Sequence, residues 1–517
     1  MRLAAAAVDQ KVGNEKTMKL NYKRTILVGF AFFLISAFWQ AYDAIVPLAL
    51  NNHYGLPHSI SGFIMSIDNI LAVFMLPIFG ALSDKVMTRF GKRTPFIVIG
   101  TIAAVLSFIT LTLVNGIQLN ALNDAGIVDA YNNALAAFDA TKQDLAEQLK
   151  AGLISAEVKD AGVNAAEQVF NGIKEDLVAQ AREITMSNVW PLVGFMAVLL
   201  IVLVAMATFR SPAVALMPDV TLKPLRSKAN AIINLMGTAG GIIILVLSTV
   251  MGTSKKLYMH YSSYVLLVCC VMVIGLIVFL LTVKEKRWAD EMEEESIALG
   301  LEEKVEQGGE KRSLSKAEMT SLLLILASVA LWYIGYNSIT SKYTVYATTI
   351  LNIDYGISLI VAQAAAIVAY IPVGIVASKL GRRKTILAGI TMLATAFFIG
   401  NFIGAGVSNL VMYPIFALAG IGWATINVNS FPMVVELAKG GEVGKYTGYY
   451  YTASMAAQIV APILSGILYD AFGMRAMFFS FGTVFVVFSF ITMFFVKHGD
   501  AKAEKQGSLE TLGGAED

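Results

Sequence analysis

The sequence predicts an all-α membrane protein of twelve transmembrane helices, arranged as two pseudo-symmetric six-helix halves with an extracytoplasmic helical insert. Three observations carry this. The chain of 517 residues is 56% hydrophobic and only 15% charged, with a mean hydropathy of +0.66. Apolar runs of bilayer-spanning length, about 20 residues, recur from end to end. A basic loop between two such runs, Pro77 to Pro95, has a shorter echo at Gly374 to Lys384, and two distant copies suggest homologous halves.

The apolar runs fall at 25–49, 60–82, 94–115, 189–217, 229–251, 258–283, 319–349, 356–379, 384–405, 409–435, 446–470 and 475–496. Helices are expected because lipid cannot satisfy open backbone groups. An even count places both termini on one side. The loops carrying Lys85 to Arg93, Lys223 to Lys228, Lys379 to Lys384 and Lys439 to Lys445 all fall on that side, so it is read as cytoplasmic. The polar, basic residues 1–24 read as a cytoplasmic leader and 497–517 as a cytoplasmic tail. Residues 25–283 form the first half, 284–318 a charged cytoplasmic linker, and 319–496 the second half.

The insert, 116–188, holds eleven acids against five cations. Long external segments translocate largely regardless of charge. Leu135, Phe138, Leu145 and Leu149, then Val169, Ile173 and Leu177, recur at helical spacing. A hairpin dispensable for folding is expected there, such that 120–185 could be removed. The adjacent Cys269 and Cys270 sit inside an apolar run and read as packing residues. Four histidines leave little scope for a metal centre, so neither a metal nor a cofactor is expected. No metalloprotease helix, nucleophile elbow or glycine-rich phosphate loop is found, which argues against an enzyme. Nothing points to a nucleic-acid partner.

The order G-x-L-S-D-K then R-F-G-K-R in the first basic loop resembles the signature loop of major facilitator transporters, between their second and third helices. Further stretches are A-T-F-R-S-P-A-V-A-L-M-P-D-V (207–220), R-S-K-A-N-A-I-I-N-L-M-G (226–237), Y-N-S-I-T-S-K-Y (336–343), G-W-A-T-I-N-V-N-S-F-P-M-V-V-E (422–436) and Y-T-G-Y-Y-Y-T (446–452). Together they resemble the sucrose/proton symporters and their glycoside-transporting relatives. The resemblance covers nearly all twelve helices but not the insert. It implies the major facilitator fold and symport of a sugar or glycoside with a coupling proton, in the plasma membrane among lipid; the alternatives are a facilitator or exporter of another small solute and a transporter-derived sensor or scaffold. Plant sucrose carriers hold an arginine in the fourth helix where this chain has Val214; Arg210 is the nearest cation.

Charged residues inside a membrane are costly and by default functional. Asp43 and Asp68 lie on antiparallel neighbours, each roughly 10–14 Å below the same helix ends at 1.5 Å per residue. They are the proton-coupling candidates, Asp68 first, although either could simply hold helices together through Gln40, Asn69 or a tyrosine. Sugars need flat apolar faces and many hydrogen-bonding groups. Trp39, Gln40, Arg210, Trp332, Asn337, Trp423, Asn427 and Gln458 are the substrate candidates. Tyr446, Tyr449 and Tyr450 read as interface anchors; Arg210 and Lys342 could instead snorkel to the membrane surface. Asp84, with Lys85, Arg89 and Arg93, is expected from the resemblance to form a conformational latch facing the eleventh helix. The second copy has Ser378 in place of the acid.

Overall fold

The computed structural model describes residues 20–222, 225–253, 257–299, 315–404, 408–435, 437 and 443–498. The expectations for the leader up to Lys19, for Lys223, for Lys439 and for the tail from 499 onward lie outside these residues. In the first half, the spanning helices are α1 (Tyr22–His53), α2 (His58–Lys85), α3 (Thr94–Asp124), α6 (Trp190–Asp219), α7 (Arg226–Met251) and α8 (Ser262–Thr282). The insert contributes α4 (Ile127–Lys150) and α5 (Ala156–Ser187), and the linker α9 (Glu285–Ala298). The second half holds α10 (Lys316–Ile350), α11 (Tyr355–Leu380), α12 (Arg382–Gly400), α13 (Asn409–Val435), α14 (Val443–Phe472) and α15 (Met474–Phe494). Among the described residues, eleven of the spanning helices are long and apolar enough to cross a membrane by length and composition alone, and α11, Tyr355–Leu380, takes the place of the twelfth.

Internal symmetry is visible in the packing. Helix α3 lies along α6 as α12 lies along α13, and α1 lies along α7 as α10 lies along α14. The first helix of each half also ends alike, in a π-turn: Ala49–His53 in α1 and Tyr346–Ile350 in α10. A proline just upstream, Pro47, removes a backbone donor in α1; no proline precedes the turn in α10. At the start of α10, Ser315 and Glu318 form a reciprocal capping box. The two ends of the bundle are here named for what they carry, the basic-loop end and the insert end.

The insert does not begin where the apolar run stops. Helix α3 continues without a break to Asp124, and α5 settles on the first half. Its buried stripe is Val163, Glu167, Phe170, Lys174, Leu177, Ala181 and Thr185. Val169 and Ile173, expected on that face, are exposed; the stripe runs one position away because part of it meets a polar surface. Phe138 stacks on Phe170 at 5.1 Å. Gln118 Nε2 donates to the His53 carbonyl and to Thr185 Oγ1, both at 2.9 Å. Leu122, Ala181 and Thr185 are fully buried, so excising 120–185 would open the core of this half. The expectation of a dispensable hairpin is corrected on that ground.

The linker's first part is not a free tether. Glu285, 2% exposed, accepts from the backbone N–H groups of Lys92, Arg93 and Thr94 at 2.6–2.7 Å and from Thr94 Oγ1 at 2.7 Å. Those are the orphan donors at the start of α3, where a carboxylate is also favoured by the helix dipole. Gly91, at φ +119°, makes room: a Cβ there would lie 2.2 Å from the Glu285 carboxyl carbon. Trp288 is buried beneath Arg24, whose guanidinium sits 5.3 Å from the ring centre and pairs with Glu291 at 2.6 Å. Glu285→Ala strands those donors and is expected to cost about 2–4 kcal/mol. A thermal unfolding scan of the detergent-purified variant should show a midpoint several degrees below wild type; an unchanged midpoint would remove the capping account.

Candidate functional site

At the insert end the halves meet along a tight seam. Asp470, near the end of α14, accepts from the backbone N–H of His58 at 2.7 Å and of Ser59 at 2.8 Å. One half thereby caps a helix of the other. A Cβ on Gly62 would lie 2.0 Å from the Pro462 carbonyl oxygen, so only glycine lets α2 and α14 touch there. Lys342 does not snorkel. It is fully buried and donates to Ser61 Oγ at 2.6 Å, with Asn51 Oδ1 at 3.4 Å. On the opposite flank, Tyr355 Oη joins Ser248 at 2.5 Å and Thr253 at 2.8 Å.

Beneath this seam lies a cavity of about 190 Å³ that draws on both halves. From α1 come Trp39 and Asp43; from α2, Met65, Asp68 and Asn69; from α6, Arg210. The second half supplies Asn337, Thr340 and Ser341 from α10 and Gln458 and Pro462 from α14. Asp43 is exposed within it. Asp68 accepts from Asn69 Nδ2 at 2.9 Å. The Arg210 guanidinium lies 5.8 Å from the Trp39 ring centre, so it turns into the protein rather than to the membrane surface. The cavity thus combines two carboxyl groups, one guanidinium, one indole and three side-chain amides.

Six residues singled out from sequence line this cavity: Trp39, Asp43, Asp68, Arg210, Asn337 and Gln458. Four others do not. Gln40 instead accepts from Gln363 Nε2 at 3.1 Å, across the two halves. Trp332 is fully buried, its indole N–H without a partner. Trp423 stacks on Tyr336 at 3.6 Å, and Asn427 is buried with Oδ1 unpartnered. Asn69, Thr340 and Ser341 were not singled out as substrate candidates; Asn69 adjoins Asp68, and Thr340 and Ser341 lie one helical turn beyond Asn337, which is the signal they gave. Tyr446 and Tyr450 are buried, Tyr450 Oη lying 2.9 Å from Ser430 Oγ. Of the tyrosines expected as interface anchors, Tyr449 is exposed.

At the basic-loop end, Arg93 gathers three helices. It bonds Asp84 at 2.5 Å and Asp219 at 2.7 Å, and also Ser83 Oγ. Its own charge is held more firmly by the two acids, against the penalty of burial. Asp84 stays 62% exposed at the side chain. Arg89 lies over Phe90 and Lys85 is exposed. Among the described residues no bond from Asp84 to α14 is present. No group of metal-ligating side chains is present among them either.

A polar cavity shared by two six-helix halves inside an apolar bundle defines a membrane carrier of small solutes. Residues 181–369 and 346–513 match the Major Facilitator Superfamily profile, and residues 27–121 match that described as MFS/sugar transport protein. The chain belongs to the major facilitator superfamily of membrane transporters. It is 30% identical over 108 residues to the MFS-type transporter ppzB of Metarhizium rileyi, covering 21% of this chain and 22% of that protein. The match to the ppzB protein of Metarhizium majus is also 30% over 108 residues, 21% of this chain and 23% of the relative. The chain thus aligns with only about a fifth of either relative. Among solved structures, the inward open xylose transporter XylE from E. coli superposes with a TM-score of 0.54 at 13% identity, over 94% of this chain and 98% of that one. A POT family transporter in complex with 5-aminolevulinic acid gives 0.57 at 10% identity, over 91% and 95%. At these identities the likeness is one of fold.

The Asp470 cap makes the seam testable. Asp470→Ala should loosen the insert end. With Cys269 and Cys270 replaced by serine and Thr340→Cys as reporter, a membrane-impermeant maleimide added at the insert end should label the cavity roughly fivefold faster or more. Equal labelling rates would show that the cap does not hold the seam.

Proposed function

We propose that this transporter carries a sugar or glycoside together with a proton, by alternating access about the shared cavity. The observation that carries the reading is the lining of that cavity. Amides on Asn69, Asn337 and Gln458 and the indole of Trp39 offer the donors, acceptors and flat face that a polyhydroxylated ring needs. Substrate held between Asn337 and Gln458 on one side and Trp39 and Asn69 on the other bridges the halves, the usual site in such carriers. The MFS/sugar transport match over 27–121 supports the same class.

Asp68 is the coupling group in this reading, with Asp43 second. An ionised carboxylate is costly within a membrane; taking up a proton relieves that cost as the carrier turns over. Arg210 in the same cavity gives Asp68 an opposite charge to exchange with when the proton leaves. Arg210 also favours a second reading, transport of a solute bearing its own carboxylate or phosphate, in which the guanidinium meets the substrate. In this reading the basic-loop end and both termini face the cytoplasm, as the charge of the loops supports, and the insert end faces outward. Asp84, without a bond to α14 among the described residues, takes up its contact with that helix in this reading when the cytoplasmic side shuts, favoured there by the helix N-terminus.

Proteoliposomes loaded with a sugar panel separate these readings. Asp68→Asn keeps the shape of the protonated acid. It should abolish pH-gradient-driven accumulation, a loss of at least about tenfold, while retaining substrate exchange. Accumulation at the wild-type level would pass the coupling role to Asp43; coupling intact in both variants would leave a uniporter or another coupling ion. For the latch, Asp84→Asn should slow transport and raise cysteine labelling from the cytoplasmic side with little change in substrate affinity. Labelling that matches wild type would remove it.

A further inference from the structure

The insert is fixed to one half and reaches the other. Its base is locked to the first half: Gln118 Nε2 donates to the His53 carbonyl at 2.9 Å, and a Cβ on Gly55 would lie 2.6 Å from the Val178 carbonyl oxygen and the Arg182 backbone nitrogen. Tyr131 packs edge-on against Tyr258 at 5.2 Å. Helix α5 then extends over the π-turn that ends α10. There Lys174, 7% exposed, donates to the Thr349 carbonyl and, at 2.8 Å, to Asn352 Oδ1. Its ammonium also lies 4.7 Å from the Phe170 ring centre. Asn352 has φ +55°, a backbone state asparagine tolerates better than most residues, and it turns the chain toward α11.

We propose that the insert is a clasp: it holds the two halves together at its own end of the molecule, and it must let go of the α10 turn before that end can open. The proposal rests on the alternating-access reading, because only relative motion of the halves would separate Lys174 from Thr349 and Asn352. The contact is not a rim salt bridge. A buried Lys174 Nζ is bonded to a backbone carbonyl and an amide oxygen of the opposite half, and a buried donor is costly once those acceptors are removed. Two further buried groups flank it without partners, Asn171 Oδ1 on the insert and Asn352 Nδ2 opposite. The charged neighbours are Glu167 and Glu175 on α5, Lys142 on α4 and Arg475 at the start of α15, with Tyr346 on the α10 turn. Glu167 and Arg475 are attracted across the two halves.

Burial pushes the Lys174 ammonium down to about 7, against the pull of Glu167 and Glu175. Once released, it returns to the ordinary lysine range near 10.4. The clasped state therefore binds fewer protons than the released state between those values. Its stability is greatest at high pH and falls as pH drops toward 7, where the loss is complete. Burial pushes the Glu167 carboxyl up, which acts in the opposite sense on the acid side, so the informative window lies between pH 7 and pH 9.

The test uses the full chain in lipid nanodiscs with Cys269→Ser and Cys270→Ser. Spin labels go at Trp190→Cys and Phe402→Cys, exposed positions at the insert end of opposite halves. Double electron–electron resonance then reads their separation. Lowering the pH from 9 to 7 should enlarge the long-distance population. Asn352→Ala should enlarge it about fivefold or more at pH 9, and Lys174→Ala should abolish the pH dependence; Lys150→Ala, at the exposed far tip, should do neither. A reducible bis-methanethiosulfonate linker of lysine length, which joins Lys174→Cys and Asn352→Cys by disulfide exchange with release of methanesulfinate, should freeze the short distance until it is cleaved. Long distances with the linker in place overturn the clasp, as does an unchanged distribution in Asn352→Ala. The readout needs no substrate, so it stands or falls independently of the sugar assignment.

Discussion

A carboxylate reaching across the molecule to cap another half's helix is the contact on which the carrier's present shape depends. Asp470 satisfies two orphan donors at the start of α2, and it can do so only because Gly62 and Gly466 let α2 and α14 meet backbone to backbone. Everything beneath follows from that closure. The cavity has a roof, its polar groups are withdrawn from one side of the membrane, and Lys342 is drawn into the seam with Ser61 as its near partner. The bonds are individually modest and hold the seam only together, which suits an interface that has to open again.

The parts of this architecture that were legible in the sequence are the parts dictated by locally repeated physics. Span length, loop charge and the doubled basic motif gave the helices and the two halves, because lipid imposes the same demand on every crossing. The depth argument brought Asp43 and Asp68 to one cavity, since antiparallel helices of known rise leave little freedom. The illegible parts are contacts between distant residues. Lys342 read as a snorkelling side chain because nothing near it in sequence announces Ser61; Glu285 read as one charge in a linker because its donors lie at Lys92, Arg93 and Thr94. Trp332 and Trp423 carry polar neighbours in the chain, yet the neighbours point elsewhere and the rings pack. The insert's polar stripe was missed for a related reason: apolar spacing locates a face that meets apolar surface, whereas Glu167 and Lys174 meet a polar one.

Two ion clusters divide the work of the polar residues. Arg93 joins α2, α3 and α6 within one half and stiffens it. Asp43, Asp68 and Arg210 line the cavity where the halves adjoin. In the alternating-access reading proposed above, the first cluster keeps a half whole while the second answers to what the cavity binds.

The docking of α9 changes the mechanics of the connection between halves. With Glu285 and Trp288 anchored to the first half, the charged segment that begins at 284 starts as part of that half and not as a free connection. Helix α9 is thereby a piece of the first half's own surface, and a change at Glu285 is felt at the start of α3 before it is felt anywhere in the second half.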